Sequence, residues 1–113
     1  MAEKKKGKNN GELCYVPCRV EPGRFRGEFL VYLKALNPSH PEESVDAQLF
    51  ADERDVVGVQ GTPERNRPVP AWLVVSLVRT SHGLAQLVLP QPAQPLGENL
   101  LSDEDELTHE VVG

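Results

Sequence analysis

The sequence predicts an all-β fold, a small antiparallel barrel or sandwich of five or six strands. Two runs rich in β-branched and aliphatic residues flank Ser81-His82-Gly83, a pattern typical of a β-hairpin. Other short apolar runs recur roughly every eight to twelve residues, separated by proline, glycine, asparagine and aspartate. No segment shows the apolar period of an amphipathic helix. With 113 residues, the chain has the length of one domain with one core.

The strongest strand pattern lies at residues 67–89 and predicts the central hairpin. Apolar residues alternate along both arms, so each arm should bury one face. The residues predicted to share the buried face are Leu73, Val75, Leu77, Ala85, Leu87 and Leu89. Gln86 should point away from the core, and Gly83 supplies the positive φ that a tight turn needs.

Two further strands are predicted before the hairpin. The first covers residues 12–20 and contains Pro17, which cannot donate a ladder hydrogen bond, so this strand should lie at a sheet edge or carry a bulge. Glu21-Pro22-Gly23 predicts a turn, and residues 29–36 predict the second strand. A helix is the alternative there, although only nine residues separate Gly27 from Asn37.

Exposed loops and short strands fill the middle of the chain. Residues 37–46 contain two prolines and three acids and should form a loop. Within it, His40 should be exposed to solvent rather than act as a metal ligand or an acid–base group. A third strand is expected at 46–51 and a short pairing segment at 56–60, before another loop at 61–68.

Prolines also mark the end of the last hairpin strand. Pro90, Pro92 and Pro95 should end that strand, because proline is poorly tolerated in a hydrogen-bonded ladder. Residues 98–101 should then return as a short edge strand.

Charge divides the chain into three parts. Four lysines and one glutamate give residues 1–11 a net charge of +3, whereas residues 12–98 have −3 and residues 99–113 have −5. Neither end has apolar residues at a usable period, so burial there cannot offset the entropy of ordering. We therefore expect a disordered basic arm at 1–11, a barrel domain at 12–101 and a disordered acidic tail at 102–113.

Cysteine usage and hydropathy predict a cytoplasmic protein without a metal. Cys14 and Cys18 are four residues apart on a predicted strand, so their Cα atoms should be about 13 Å apart, beyond disulfide reach. Free thiols fit a reducing compartment, and a single cysteine pair does not complete a zinc site. We expect no cofactor. No stretch approaches the roughly 20 apolar residues of a membrane span, so no membrane partner is expected.

The span from Gly11 to Leu101 resembles the SH3-like small barrels in its strand number, long second loop and proline–glycine turns. Gly11-Glu12-Leu13-Cys14-Tyr15-Val16 is similar to the opening strand of the PemK-like ribonuclease toxins, which also have an SH3-like barrel. Arg67-Pro68-Val69 and Leu73-Val74-Val75-Ser76 resemble that family's arginine–proline pair and the strand after it. Pro70-Ala71-Trp72 interrupts this pattern, and Gln91 follows Pro90 where the family has a threonine. The resemblance implies ribonuclease activity but breaks where catalysis would lie.

The sequence is compatible with three functions. The first is a non-enzymatic interaction or accessory module that binds a protein or peptide partner through an aromatic groove. The second is a nucleic-acid-binding barrel that uses the basic arm and loop arginines, although the net negative charge opposes it. The third is a PemK-like ribonuclease. The predicted partner-binding residues are Trp72, Phe25, Arg24, Arg26, Arg65 and Arg67.

The hairpin tip is the only dense cluster of groups suited to catalysis. Arg79, Thr80, Ser81 and His82 could combine proton transfer with anion binding. Polar residues at a hairpin tip are more often there because the tip faces water. We therefore expect that the protein is not an enzyme.

Overall fold

A computed structural model describes residues 12–109, and its regular structure is β-sheet apart from two single-turn 3₁₀ helices. The elements in chain order are β1 (Glu12–Pro22), β2 (Glu28–Leu36), β3 (Ser44–Asp52), η1 (Glu53–Asp55), β4 (Val56–Val57), β5 (Val69–Ser81), β6 (Leu84–Ala93), β7 (Gly97–Asp103) and η2 (Glu104–Glu106). The predicted all-β class is confirmed. There are seven strands rather than five or six, because the short segments predicted at 56–60 and 98–101 both contain paired strands. No helix in this range is long and apolar enough to cross a bilayer.

One curled antiparallel sheet contains all seven strands. Their order is β3-β2-β1-β5-β6-β7, and β4 pairs with the first half of β5. The sheet curls until its β3 edge meets the chain after β6, where Gln48 and Gln94 exchange two backbone hydrogen bonds of 3.0 and 2.8 Å. The result is a half-barrel with its core on the concave side.

The β5–β6 hairpin forms as the alternation predicts. All six predicted core residues are at most 5% exposed, whereas Gln86 is exposed. His82 and Gly83 have φ values of 55° and 79°, the two positive angles of a two-residue type I′ turn. A bulge at Val78 shifts the register between the two strands.

The prediction that prolines end β6 is wrong for Pro90 and Pro92, because β6 continues through both to Ala93. Pro95 lies beyond the end of the strand, as predicted. Pairing with β5 stops at Val88, and the register with β7 shifts between Val88 and Ala93. Both prolines therefore lie where the strand has left its ladders, so their missing donors cost little.

The predicted domain end at Leu101 falls inside β7. Ser102 is buried, Leu107 packs against the core, and Thr108 pairs with Tyr15 of β1. Residues 102–109 therefore have defined positions, because an aliphatic residue and backbone pairing hold the acidic stretch in place. The predicted arm at 1–11 and the last residues, 110–113, lie outside the described residues.

Candidate functional site

β1 and β2 diverge part-way along their length. They pair over only four residue pairs, the last of which is Arg19↔Tyr32. Beyond this point β1 stays paired with β5 as far as Glu12, and β2 stays paired with β3 as far as Leu36. The strands leave a V-shaped opening in the sheet, which we call the β1–β2 cleft.

Pro17 lies where the ladder stops. Continuing the β1–β2 register by two residues would place Pro17 opposite Lys34. The Gly23 N–H donates to the Glu28 carbonyl at 2.9 Å, so odd-numbered residues of β1 point their backbone groups toward β2. Pro17 belongs to this series and has no N–H to donate. The prediction that this strand lies at a sheet edge or carries a bulge is wrong for β1 as a whole, because β1 lies between β2 and β5 and pairs with β5 without a register shift. Only the part of β1 before Arg19 has no partner strand on the β2 side.

The facing edge of β2 is also unpaired. The Asn37 N–H donates to the Glu43 carbonyl at 2.9 Å, so odd-numbered residues of β2 face β3. Lys34 and Leu36 therefore direct their backbone N–H and C=O groups into the cleft. Within residues 12–109, no strand pairs with this stretch. Such an edge is a ready template for another strand.

A cavity of about 770 Å³ lies beneath the cleft and opens through it. Its floor is apolar and comes from β1, β2, β3 and β7, with Val16, Cys18, Leu33, Ala47 and Leu100. The cavity lining also includes Gln94, Ser102 and Glu106, so the cleft combines free backbone groups at its rim with a mainly apolar interior.

Polar side chains surround the mouth, and most have partners within the chain. Lys34 Nζ lies 2.8 Å from Asp46 Oδ1, and Arg19 Nη2 donates to the Pro68 carbonyl at 3.1 Å. The Tyr32 hydroxyl donates to Glu21 Oε1 at 3.0 Å. Desolvation, and then this bond to a carboxylate, raise the pKa of Tyr32 above its ordinary value. The mouth therefore carries both charge signs without a dominant one.

The thiols near the cleft are unreactive at neutral pH. Burial raises the pKa of Cys18, on the cavity floor, to about 12. Burial, and then the charge of Glu12, raise the pKa of Cys14 to about 11. Both are free, protonated thiols that pack as small apolar groups. Among the residues described, no three or more histidine, cysteine or acidic side chains are grouped so that they could hold a metal ion.

None of the six predicted partner-binding residues lines this cavity. Arg24, Phe25 and Arg26 lie in the turn between β1 and β2, at the closed end of the cleft. The Arg24 guanidinium stacks 4.0 Å from the Phe50 ring centroid and pairs with Glu28 at 2.7 Å. Phe25 is 64% exposed. Arg24 therefore holds the turn together, whereas its two neighbours face solvent.

The other predicted residues lie on the loop before β5 and on β5 itself. Arg65 and Arg67 are exposed, and the Arg67 N–H donates to the Glu64 carbonyl at 2.8 Å. Trp72 is half-buried on the outer face of β5, opposite Pro17 and Val57 on its two neighbours. The structure therefore does not gather the six residues into one groove.

The polar hairpin tip borders a smaller pocket of about 200 Å³. Ser81 Oγ lies 2.8 Å from His82 Nδ1. Both side chains are exposed, as are Arg79 and Thr80. His40 is likewise exposed in its loop, as the sequence predicts. The volume at the tip is about a quarter of that of the cavity beneath the cleft.

No protein-family model, curated protein or solved structure matches this chain. The SH3-like and PemK-like resemblances are therefore supported only at the level of a small, curled, antiparallel β-sheet.

Proposed function

We propose that the chain is a non-enzymatic interaction module that binds an extended segment of a protein or peptide partner in the β1–β2 cleft. The observation that carries this proposal is a cavity of about 770 Å³ beneath two diverging strand edges. Cavities of roughly 300–1,000 Å³ are typical of binding sites.

An extended segment fits both features of the cleft. Its backbone can pair with the N–H and C=O groups of Lys34 and Leu36, as in binding by β-strand addition. Successive side chains of a strand point to opposite faces. One set would therefore enter the apolar cavity, and the other would face Lys34 and Asp46 at the mouth.

Two observations support a binding role over catalysis. The cavity holds a protonated thiol, Cys18, rather than a thiolate. Ser81 and His82 are in contact but exposed at the hairpin tip, away from the cavity. Neither arrangement provides the activated nucleophile in a water-excluded site that catalysis uses.

A nucleic-acid-binding role is the second candidate, because three arginines are available for it. Arg26, Arg65 and Arg67 are exposed, and no ion pair of the described residues engages them. The overall net charge of −5 opposes phosphate binding, which makes peptide binding the first choice.

Selection of random peptides on the immobilised full chain tests the proposal, followed by fluorescence anisotropy of the selected peptides. Lys34→Pro removes the cleft-facing donor and leaves the β2–β3 ladder intact, so it should weaken binding about tenfold. Lys34→Ala is the matched control, since it removes the same side chain and keeps the N–H. Ser44→Pro, at the free edge of β3 away from the cavity, controls for the fold.

The proposal is overturned if no peptide is selected, or if Lys34→Pro and Lys34→Ala weaken binding equally. A parallel titration with a single-stranded oligonucleotide tests the second candidate. Phosphate binding should weaken steeply between about 50 and 200 mM salt and should depend on Arg26, Arg65 and Arg67.

A further inference from the structure

The chain places one of its own segments against the open edge of β1. Tyr15 and Thr108 exchange two backbone hydrogen bonds, with Tyr15 N to Thr108 O at 2.9 Å and Thr108 N to Tyr15 O at 3.1 Å. Tyr15 belongs to the odd-numbered series of β1, so these bonds form on the cleft side. The segment 107–109 therefore lies, antiparallel to β1, on the edge that β2 has left.

From this contact we infer the chemistry of the partner, on the basis of the proposed function. The partner strand carries an aliphatic residue and, two positions later, a cationic residue, and it pairs with β1 in place of the segment 107–109.

The aliphatic position follows from Leu107. Its side chain is half-buried and packs against the core. Continuing the antiparallel Tyr15↔Thr108 bridge by one residue places Leu107 opposite Val16, which lines the cavity. An aliphatic side chain there removes apolar surface from water, whereas a charged one would lose its hydration without a partner.

The cationic position follows from His109. Its Nδ1 atom lies 3.4 Å from Glu12 Oε2 at the first residue of β1. Further acids stand close by in sequence at Asp103, Glu104, Asp105 and Glu106. A lysine or arginine at this place would meet a negative field, and an acid would be repelled.

A partner strand has to displace a segment that is held by Leu107 against the core and by two backbone hydrogen bonds to Tyr15. The pairing of this segment with β1 is limited to one bridge, and the exposed contact between His109 and Glu12 adds little. A partner strand with the same pattern that pairs along more of β1 gains further backbone hydrogen bonds, and it would therefore displace the segment.

The experiment uses the full chain and a labelled synthetic peptide with the sequence of residues 103–113. Thr108→Pro removes the donor to the Tyr15 carbonyl and releases the internal segment, while Thr108→Ala keeps that N–H. The peptide should bind Thr108→Pro about fivefold more tightly than wild type, because self-competition is reduced. Thr108→Ala should bind the peptide more weakly than Thr108→Pro, because both variants lack the threonine side chain and only Thr108→Ala keeps the backbone bond to Tyr15. Peptides with Leu107→Asp or His109→Glu should lose this binding, and the native peptide should slow exchange of the Tyr15 amide.

Equal affinity for Thr108→Pro and Thr108→Ala overturns the inference, as does binding that ignores both peptide substitutions. If Thr108→Pro does not fold, the variant Glu12→Lys takes its place in the test. This variant should bind the His109→Glu peptide more tightly than the native peptide. If it does not, the inference is rejected. In one outcome, the binding of selected peptides depends on the Lys34 N–H but the 103–113 peptide does not bind. This outcome would support the proposed function and reject the present inference. Binding of the 103–113 peptide that Lys34→Pro leaves unchanged would separate the two in the other direction, because pairing with β1 would then stand while pairing with the Lys34 edge, which carries the proposed function, would fail.

Discussion

Two hairpins of this sheet, β1–β2 and β5–β6, diverge along their length, but only one of the two openings is filled by a strand. β5 and β6 separate beyond Ser76↔Val88, and there β4 pairs with the edge that β5 exposes. β1 and β2 separate beyond Arg19↔Tyr32, and there β1 gains only the short contact at Thr108. A vacated edge that is filled extends the sheet, whereas one that stays open leaves backbone groups exposed that can pair with another strand.

The largest expected effects concern the filled hairpin. Leu77→Ala and Leu87→Ala should each lower the free energy of unfolding by about 2–4 kcal/mol, because both side chains are buried between closely packed neighbours. Urea denaturation measures the loss. Gln86→Ala is the control on the outer face and should stay within about 0.5 kcal/mol. Losses for the two leucines no larger than that of the control would contradict the assignment of the inner face.

The turns of the two hairpins should respond differently to the same substitution. A Cβ on Gly23 would lie 2.8 Å from the Glu28 carbonyl oxygen, so Gly23→Ala should cost about 2 kcal/mol or more. Gly83 has a φ of +79° and open space around it, so Gly83→Ala should cost only about 1 kcal/mol of backbone strain. Thermal or chemical unfolding of the two variants side by side checks the order. The reverse order would mean that the β1–β2 turn can give way.

Stability should fall at alkaline pH because of the thiol on the cavity floor. Burial raises the pKa of Cys18 from 9.0 to about 12, so the folded state keeps a proton that the unfolded state loses above pH 9. The stability associated with the protonated Cys18 thiol is fully present below pH 9. As the pH rises from 9 toward 12, the free energy of unfolding falls by about 1.4 kcal/mol per pH unit.

Urea denaturation of wild type and Cys18→Ala at pH 8 and pH 10 measures this contribution. The variant should lose less stability between the two pH values than wild type. Equal losses would show that Cys18 ionises in the folded state, with water reaching the floor of the cleft.

The smallest effect on stability, and the sharpest test of the comparison, is expected from Pro17→Val. The substitution returns an N–H that can donate to the Lys34 carbonyl, but it also increases the conformational entropy of the unfolded chain. The free energy of unfolding should therefore change by less than about 0.5 kcal/mol. Hydrogen exchange of the Lys34 amide should become slower as the cleft closes. Unchanged exchange would mean that Pro17 does not keep the cleft open.

Local patterns in the sequence determined most of the strands and one turn. The alternation along β5 and β6 predicts the six buried residues, because successive side chains of a strand point to opposite faces. His82-Gly83 lies where the two positive φ values occur. Pro17 indicates that β1 lacks one backbone N–H donor, and this is the only feature of the cleft that the sequence indicates.

Only the tertiary structure decided where the site lies. Tyr15 meets Thr108, and Gln48 meets Gln94, across long separations in sequence, and no local pattern specifies such registers. The partner-binding residues predicted from the sequence are arginines and aromatic residues, whereas the cleft consists of backbone edges over aliphatic side chains. The four acids after Ser102 predict a solvated tail, yet Leu107 and the Tyr15 pairing hold this stretch on the sheet. Composition reports average solvation, and a single half-buried leucine with two backbone hydrogen bonds outweighs it locally.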